Sequence, residues 1–132
     1  MAEHICIRLK RGMDLKKEIV KIAQAEDIAC GSAICAVGCL SSAKVRSADG
    51  RTVIGINEPC EIVSLTGTVS SARCHLHISL AKSDLTVVGG HLVEGCIVNT
   101  TCELIIAKVD GYHINKYFDE TTCYNELEFI KE

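Results

Sequence analysis

The sequence predicts an α+β fold: a mainly antiparallel sheet of about seven strands with one main helix packed on it. Three observations lead there. Short apolar and alternating segments recur along the chain, separated by turn residues; only one segment carries a helical apolar stripe; and the apolar residues are Val, Ile, Leu, Ala and Cys rather than aromatics, which are 4% of the chain with no Trp. The β-branched bias favours sheet, and short connections favour antiparallel pairing with the helix covering one face.

The first strand spans 3–10, where Ile5, Ile7 and Leu9 alternate with His4, Cys6, Arg8 and Lys10. Gly12 breaks it. Asp14 is placed to cap a helix from about Leu15 to Asp27 with a stripe of Leu15, Ile19, Ile22 and Ala23. That helix is expected to stop before Cys30 and Gly31, with the glycine taking the left-handed conformation. A strand system follows over 32–46, bent or bulged at Gly38. Asp49 and Gly50 mark a hairpin turn into a short strand at 51–54. The next strand, 61–70, is expected to point Val63, Leu65 and Val69 one way. Strands at 73–81 and 87–91 come next, joined by a turn at Ser83 and Asp84, and then a long strand from Gly95 to Val109. The tail from Tyr112 is more polar, with one strand-like stretch at 127–130.

At 132 residues the chain is read as a single domain over 1–132, long enough to bury a core. Its net charge of −3 argues against a dedicated nucleic-acid binder, since phosphate contacts call for a basic excess. Two small basic spots remain as candidate DNA contacts: Arg8 with Lys10, and Lys44 with Arg46. Nine cysteines without a CxxC pair, odd in number and embedded in apolar runs, read as small buried hydrophobes in a reducing cytoplasm. No secretory signal is recognised, and no apolar run reaches membrane-spanning length.

The sharpest chemistry lies in the strand at 73–81. His75 and His77 share one face, because strand side chains alternate, while Cys74, Leu76, Ile78 and Leu80 take the other. His91 follows Gly89 and Gly90, which are expected to form a tight turn that presents it. Two imidazoles two residues apart plus a third nearby are spaced to hold one divalent ion, leaving a coordination position open. Cys74 and His75 face opposite ways and make no nucleophile pair. There is no nucleophile elbow or phosphate-binding loop.

The segments Glu61–Ser70, His75–Ser79, Gly89–Gly95 and Thr100–Glu103 occur in the order and spacing of the PPC (plant and prokaryote conserved) domain family, which the chain resembles over nearly its whole length. Gly38–Arg46 and Arg8–Gly12 fit the same pattern. The resemblance implies an α+β domain assembling as a homotrimer, and, by way of stand-alone prokaryotic members, a DNA-binding or regulatory module. The AT-hook that plant members join to this domain is absent from the sequence. The fold is also similar to that of acetolactate decarboxylase, in which a strand HxH pair and a later histidine hold zinc; the matching positions are His75, His77 and His91. The alternative function is therefore a zinc-dependent enzyme, decarboxylase- or hydrolase-like, acting on a small carbonyl or carboxylate compound. Glu61, Glu94 and Glu103 are the candidate proton-transfer groups by sequence proximity, and Arg46 or Arg73 the candidates to hold a substrate carboxylate.

Overall fold

The computed structural model describes residues 3–132. Its elements in chain order are β1 (His4–Lys10), α1 (Leu15–Ala25), β2 (Gly31–Arg46), β3 (Val53–Ile56), β4 (Cys60–Val69), β5 (Cys74–Lys82), β6 (Val87–Leu92), β7 (Ile97–Lys108), β8 (Tyr112–Asp119) and β9 (Tyr124–Lys131). Seven strands form one antiparallel sheet in the order β1-β7-β2-β4-β5-β6, with β3 paired to β2; β8 and β9 form a separate hairpin. The expected seven-stranded sheet and single helix are both present.

Strand β2 organises the sheet. Its first part lies between β7 and β4, and its last residues, Ala43–Arg46, pair with β3. Arg46 and Val45 also pair with His91 and Leu92 of β6. The run β2-β4-β5-β6 therefore returns to β2, and a core closes inside it. Three register shifts against β7 bend β2 enough to reach both sets of neighbours, one of them at Gly38 as expected. A β-carbon on Gly38 would sit 2.0 Å from the Thr101 carbonyl oxygen, so no larger residue fits this bulge.

The helix begins as its sequence indicates. Asp14 accepts from the Lys17 amide at 3.1 Å through one carboxylate oxygen and from the Gly95 amide at 2.7 Å through the other. One side chain thus caps α1 and ties it to the approach to β7. Leu15, Ile19 and Ala23 are fully buried, packing with Leu9, Leu40, Leu76, Leu80, Val98, Leu104 and Ile106 in one aliphatic core.

Four expectations need correction. The helix stop is made by Asp27, at φ 45°, rather than by Gly31. A short polar side chain tolerates the left-handed region, and Gly31 is instead needed at the start of β2, where a β-carbon would meet the Ala107 carbonyl oxygen at 2.9 Å. Val63 does not share a face with Leu65 and Val69. A bulge between Ile62 and Ser64 shifts the pleat, so Ile62 joins them in the core and Val63 is 57% exposed. Gly89 and Gly90 lie inside β6 and not in a turn. The polar tail forms two strands where one was expected: β8 and β9 pair along their full length from Tyr112–Lys131 to Asp119–Tyr124. Only Ile114 of that hairpin is core-like, so alternation in the sequence carried little signal.

All nine cysteines are free thiols. Cys30, Cys60, Cys74, Cys96 and Cys102 are buried, Cys35 and Cys39 half-buried, and Cys6 and Cys123 exposed. Burial pushes the buried thiols up, that of Cys102 to about 11, so they behave as small apolar side chains. Among the described residues no helix is long and apolar enough to cross a membrane.

Candidate metal centre

The sheet face turned away from the core carries the site. Antiparallel partners share a face, and the registers align four residues in one row across four strands: Thr66 on β4, His77 on β5, His91 on β6 and Arg46 on β2. His75 stands one pleat along β5, opposite Thr68. The alternation of β5 holds throughout: Cys74, Leu76, Ile78 and Leu80 are buried, while His75, His77 and Ser79 face outward.

The three imidazoles converge. Ring centroids are 5.2 Å apart for His75 and His77, 5.3 Å for His75 and His91, and 5.6 Å for His77 and His91. Each ring offers a nitrogen lying within 4.8 Å of the nitrogens offered by the other two. Donors spread over such a triangle can each reach a common point at the roughly 2.0–2.1 Å of a zinc–imidazole bond after small side-chain adjustments.

Gly89 and Gly90 make this convergence possible by letting backbones approach. A β-carbon at Gly89 would come within 2.3 Å of the Ile78 carbonyl oxygen, and one at Gly90 within 2.6 Å of the Arg46 carbonyl oxygen. Only glycine at both positions lets β6 sit tightly between β5 and the end of β2, which sets His91 beside His77.

The electrostatics favour the neutral form of His75 and His91. His91 is pushed down to about 4, chiefly by burial and next by the Arg46 charge. Burial, then Arg73 and His77, lowers His75 in the same direction. Lys16 adds to both effects; its ammonium is anchored to the Cys74 carbonyl at 2.7 Å. Neutral imidazole is the form that ligates a metal. His91 Nδ1 is also buried with no hydrogen-bond partner, a state that costs about 1–3 kcal/mol when nothing answers the atom. The residues present therefore fit a divalent ion.

Beside the histidines opens a cavity of about 600 Å³, whose walls include Arg46, His77, His91 and the hydroxyl-bearing Ser47, Ser64, Thr66 and Ser79. The Ser64 and Ser79 hydroxyls touch at 2.6 Å. None of these hydroxyl residues was singled out in the sequence, although Ser79 shares the alternation of His75 and His77.

The candidate carboxylates lie elsewhere. Glu61 lines a different hollow with Cys39 and Lys82. Glu94 is exposed near Lys17 at 4.0 Å, and Glu103 pairs across the sheet with Arg8 on β1 and Val37 on β2. Arg73 donates to the Asn125 carbonyl at 2.5 Å, tying the β8–β9 hairpin to the β4–β5 turn. The basic candidates are not gathered into one stripe. Arg8 donates to Thr101 Oγ1 at 2.9 Å on the β1 side, with Lys10 exposed beyond it, whereas Lys44 packs by Gly95 and Arg46 lines the histidine cavity.

The model of the Plants and Prokaryotes Conserved (PCC) domain matches residues 2–110. The chain belongs to this family. The PCC match ends just before the β8–β9 hairpin. A curated relative, the bifunctional protein GlmU of Synechococcus sp. (strain JA-3-3Ab), is 35% identical over 125 residues, covering 95% of this chain and 20% of that protein. The chain thus spans about a fifth of the length of the curated relatives it matches. Among solved structures, a hypothetical protein from Salmonella superposes with a TM-score of 0.94 at 24% identity, covering 99% of this chain and 95% of that one. A protein described as metal-containing, from Archaeoglobus fulgidus, gives 0.76 at 28% identity, with 94% and 91% covered. One from Bacteroides thetaiotaomicron, provisionally named as DNA-binding, gives 0.82 at 21% identity, with 98% of each chain covered.

Proposed function

We propose that this PCC protein is a divalent-metal module in which His75, His77 and His91 hold one ion whose open coordination position faces a small-molecule cavity. The observation that carries the reading is the convergence of three imidazoles, of which His75 and His91 are held toward the neutral form and His91 has a buried Nδ1 with no hydrogen-bond partner. Zinc is the ion preferred, because an all-imidazole set with an open position suits it. The metal-containing relative supports the same reading. The ion would supply Lewis acidity toward a ligand oxygen.

The protein's own groups then bind and orient. Arg46 stands beside His91 in the row, and the hydroxyls of Thr66, Ser64 and Ser79 offer donors and acceptors on the opposite wall. If the module is an enzyme acting on a small carbonyl or carboxylate compound, its proton transfers fall to these hydroxyls or to metal-bound solvent. Glu61, Glu94 and Glu103 do not line the cavity.

The chain works as one unit over 1–132 and as a homotrimer in the reducing cytoplasm. Support for assembly comes from the outward sheet face, where Ile34 is 55% exposed and Val37 and Val63 are 57% exposed. DNA association is the second reading, favoured by the provisional name of the Bacteroides relative. With Arg8 and Lys10 distant along the sheet from Lys44, it requires basic spots from several copies to combine.

Calorimetric titration of zinc into the metal-free protein tests the first reading. One saturable site per chain in the wild type, absent in His77→Ala, is expected. Equal zinc uptake by both proteins contradicts it. A duplex-binding assay at low salt tests the second, and absence of binding there removes it.

A further inference from the structure

The histidine cavity carries positive charge and no carboxylate to balance it. Arg46 makes no ion pair among the described residues, and its Nε is buried without any hydrogen-bond partner. Lys16, partly balanced by Glu94, adds positive charge near His75 and His91, and Arg73 adds it near His75. The acid nearest in sequence, Asp49, is turned into its own loop, where its carboxylate accepts from Ser47 Oγ, Thr52 Oγ1 and the Arg51 and Thr52 amides. A divalent ion on the histidines would raise the local charge further. Burying part of a guanidinium with one donor unanswered is unfavourable unless something that binds there answers it.

We propose that the cavity is an anion site, and that its ligand is a small organic carboxylate gripped by Arg46 while a neighbouring oxygen of the same molecule reaches the metal position. The second contact rests on the metal reading above; the first does not. The geometry is direct. Arg46 and His91 are antiparallel Cα partners, so their side chains leave the sheet side by side, about 4.5–5.5 Å apart at the backbone. One small molecule can touch both. The guanidinium is a planar fork that matches the two oxygens of a carboxylate. The Ser47 hydroxyl is committed to Asp49, but the Ser64–Ser79 pair, bonded to each other through one proton, keeps its second O–H as a donor for the ligand's remaining oxygens. A volume of about 600 Å³ suits a compact organic acid with its water. A 2-oxo acid, with its carbonyl oxygen adjacent to the carboxylate, has the required pair of contacts.

The test is calorimetric titration of pyruvate, oxalate and inorganic phosphate into zinc-loaded and metal-free protein, for the wild type, Arg46→Gln and Arg46→Lys. Thermal melts and zinc content are measured alongside. The wild type is expected to bind pyruvate and oxalate, more weakly but measurably without zinc. Arg46→Gln should keep its zinc and its fold yet lose about tenfold or more in carboxylate affinity. Arg46→Lys, which keeps the charge but loses the fork, should fall between. Pyruvamide, the neutral counterpart of pyruvate, should bind poorly. The proposal is overturned if Arg46→Gln, folded and metal-loaded, binds carboxylates like the wild type, if pyruvamide binds as well as pyruvate, or if phosphate is bound in preference to both carboxylates. Carboxylate binding that depends on Arg46 in a protein that takes up no zinc would leave the anion site standing while removing the metal reading. Zinc uptake without any carboxylate binding would do the reverse.

Discussion

His77 and His91 are direct Cα partners across β5 and β6, with ring centroids 5.6 Å apart. They are fourteen positions apart in sequence, and the pairing exists because β6 fits between β5 and the last residues of β2. The three-histidine cluster is thus a consequence of sheet closure rather than of a binding loop. His77 and His91 each have strand partners on both sides, and His75 has one on β4, so the cluster stands on paired strands rather than on a loop.

Closure depends on the two glycines that precede His91. Gly89→Ala forces a β-carbon against the Ile78 carbonyl, a backbone atom that cannot turn aside. The expected cost is about 1–3 kcal/mol of stability, together with weakened zinc binding as His91 is displaced. Thermal denaturation and zinc titration of the variant check both effects; an unchanged melt with unchanged zinc affinity contradicts the role assigned to β6.

Acid should weaken the metal-free fold through His91 and His75. Both have lowered pKa values, His91 at about 4, against roughly 6.5 in an unfolded chain. Between those values the unfolded chain binds more protons than the folded one, so stability is fully present above about 6.5 and declines as pH falls toward 4. Urea denaturation across this range should show the decline. His91→Asn should flatten it, and an equally steep decline in that variant assigns the effect to other groups.

Asp14 joins two parts of the fold through its two carboxylate oxygens, one on the Lys17 amide and one on the Gly95 amide. Asp14→Ala removes a helix cap and a tertiary hydrogen bond together, and should destabilise by about 1–2 kcal/mol. Asp14→Asn, which keeps one acceptor oxygen, should lose less. Denaturant melts of the pair separate the two contributions.

Assembly is tested at Val37, which is exposed and lies on the outward sheet face next to Glu103. Val37→Glu should leave the isolated fold intact but dissociate the trimer, giving a single-chain mass by light scattering at concentrations where the wild type has three times that mass. A monomeric wild type at every concentration ends the trimer reading.

The HxH strand was legible because its period of two is undisturbed: four alternate residues are core and three face out. The capped helix was legible for a similar reason, since Asp14 and the Leu15, Ile19, Ala23 spacing act locally. Where pleat and sequence fell out of step, local reading failed. The bulge at Ile62 and Ser64 inverted Val63, and nothing near it in sequence marks a bulge. Arg46 was a candidate only by residue type; its place beside His91 comes from a cross-strand pairing of two residues 45 positions apart. The three glutamates failed as site residues because closeness in sequence to a strand histidine does not choose the sheet face or the end of the strand. The hydroxyls of Ser64 and Thr66 were hidden for the opposite reason: they lie beside Ser79 and His77 only through the register of β4 on β5.

The measurement that bears most directly on the metal centre is elemental analysis of the purified, untagged protein, read as metal per chain alongside His77→Ala prepared in the same way. About one zinc per chain in the wild type and none in the folded variant is the predicted result. A wild type that holds no metal even after incubation with zinc, or a variant that keeps its full complement, contradicts the assignment of His75, His77 and His91.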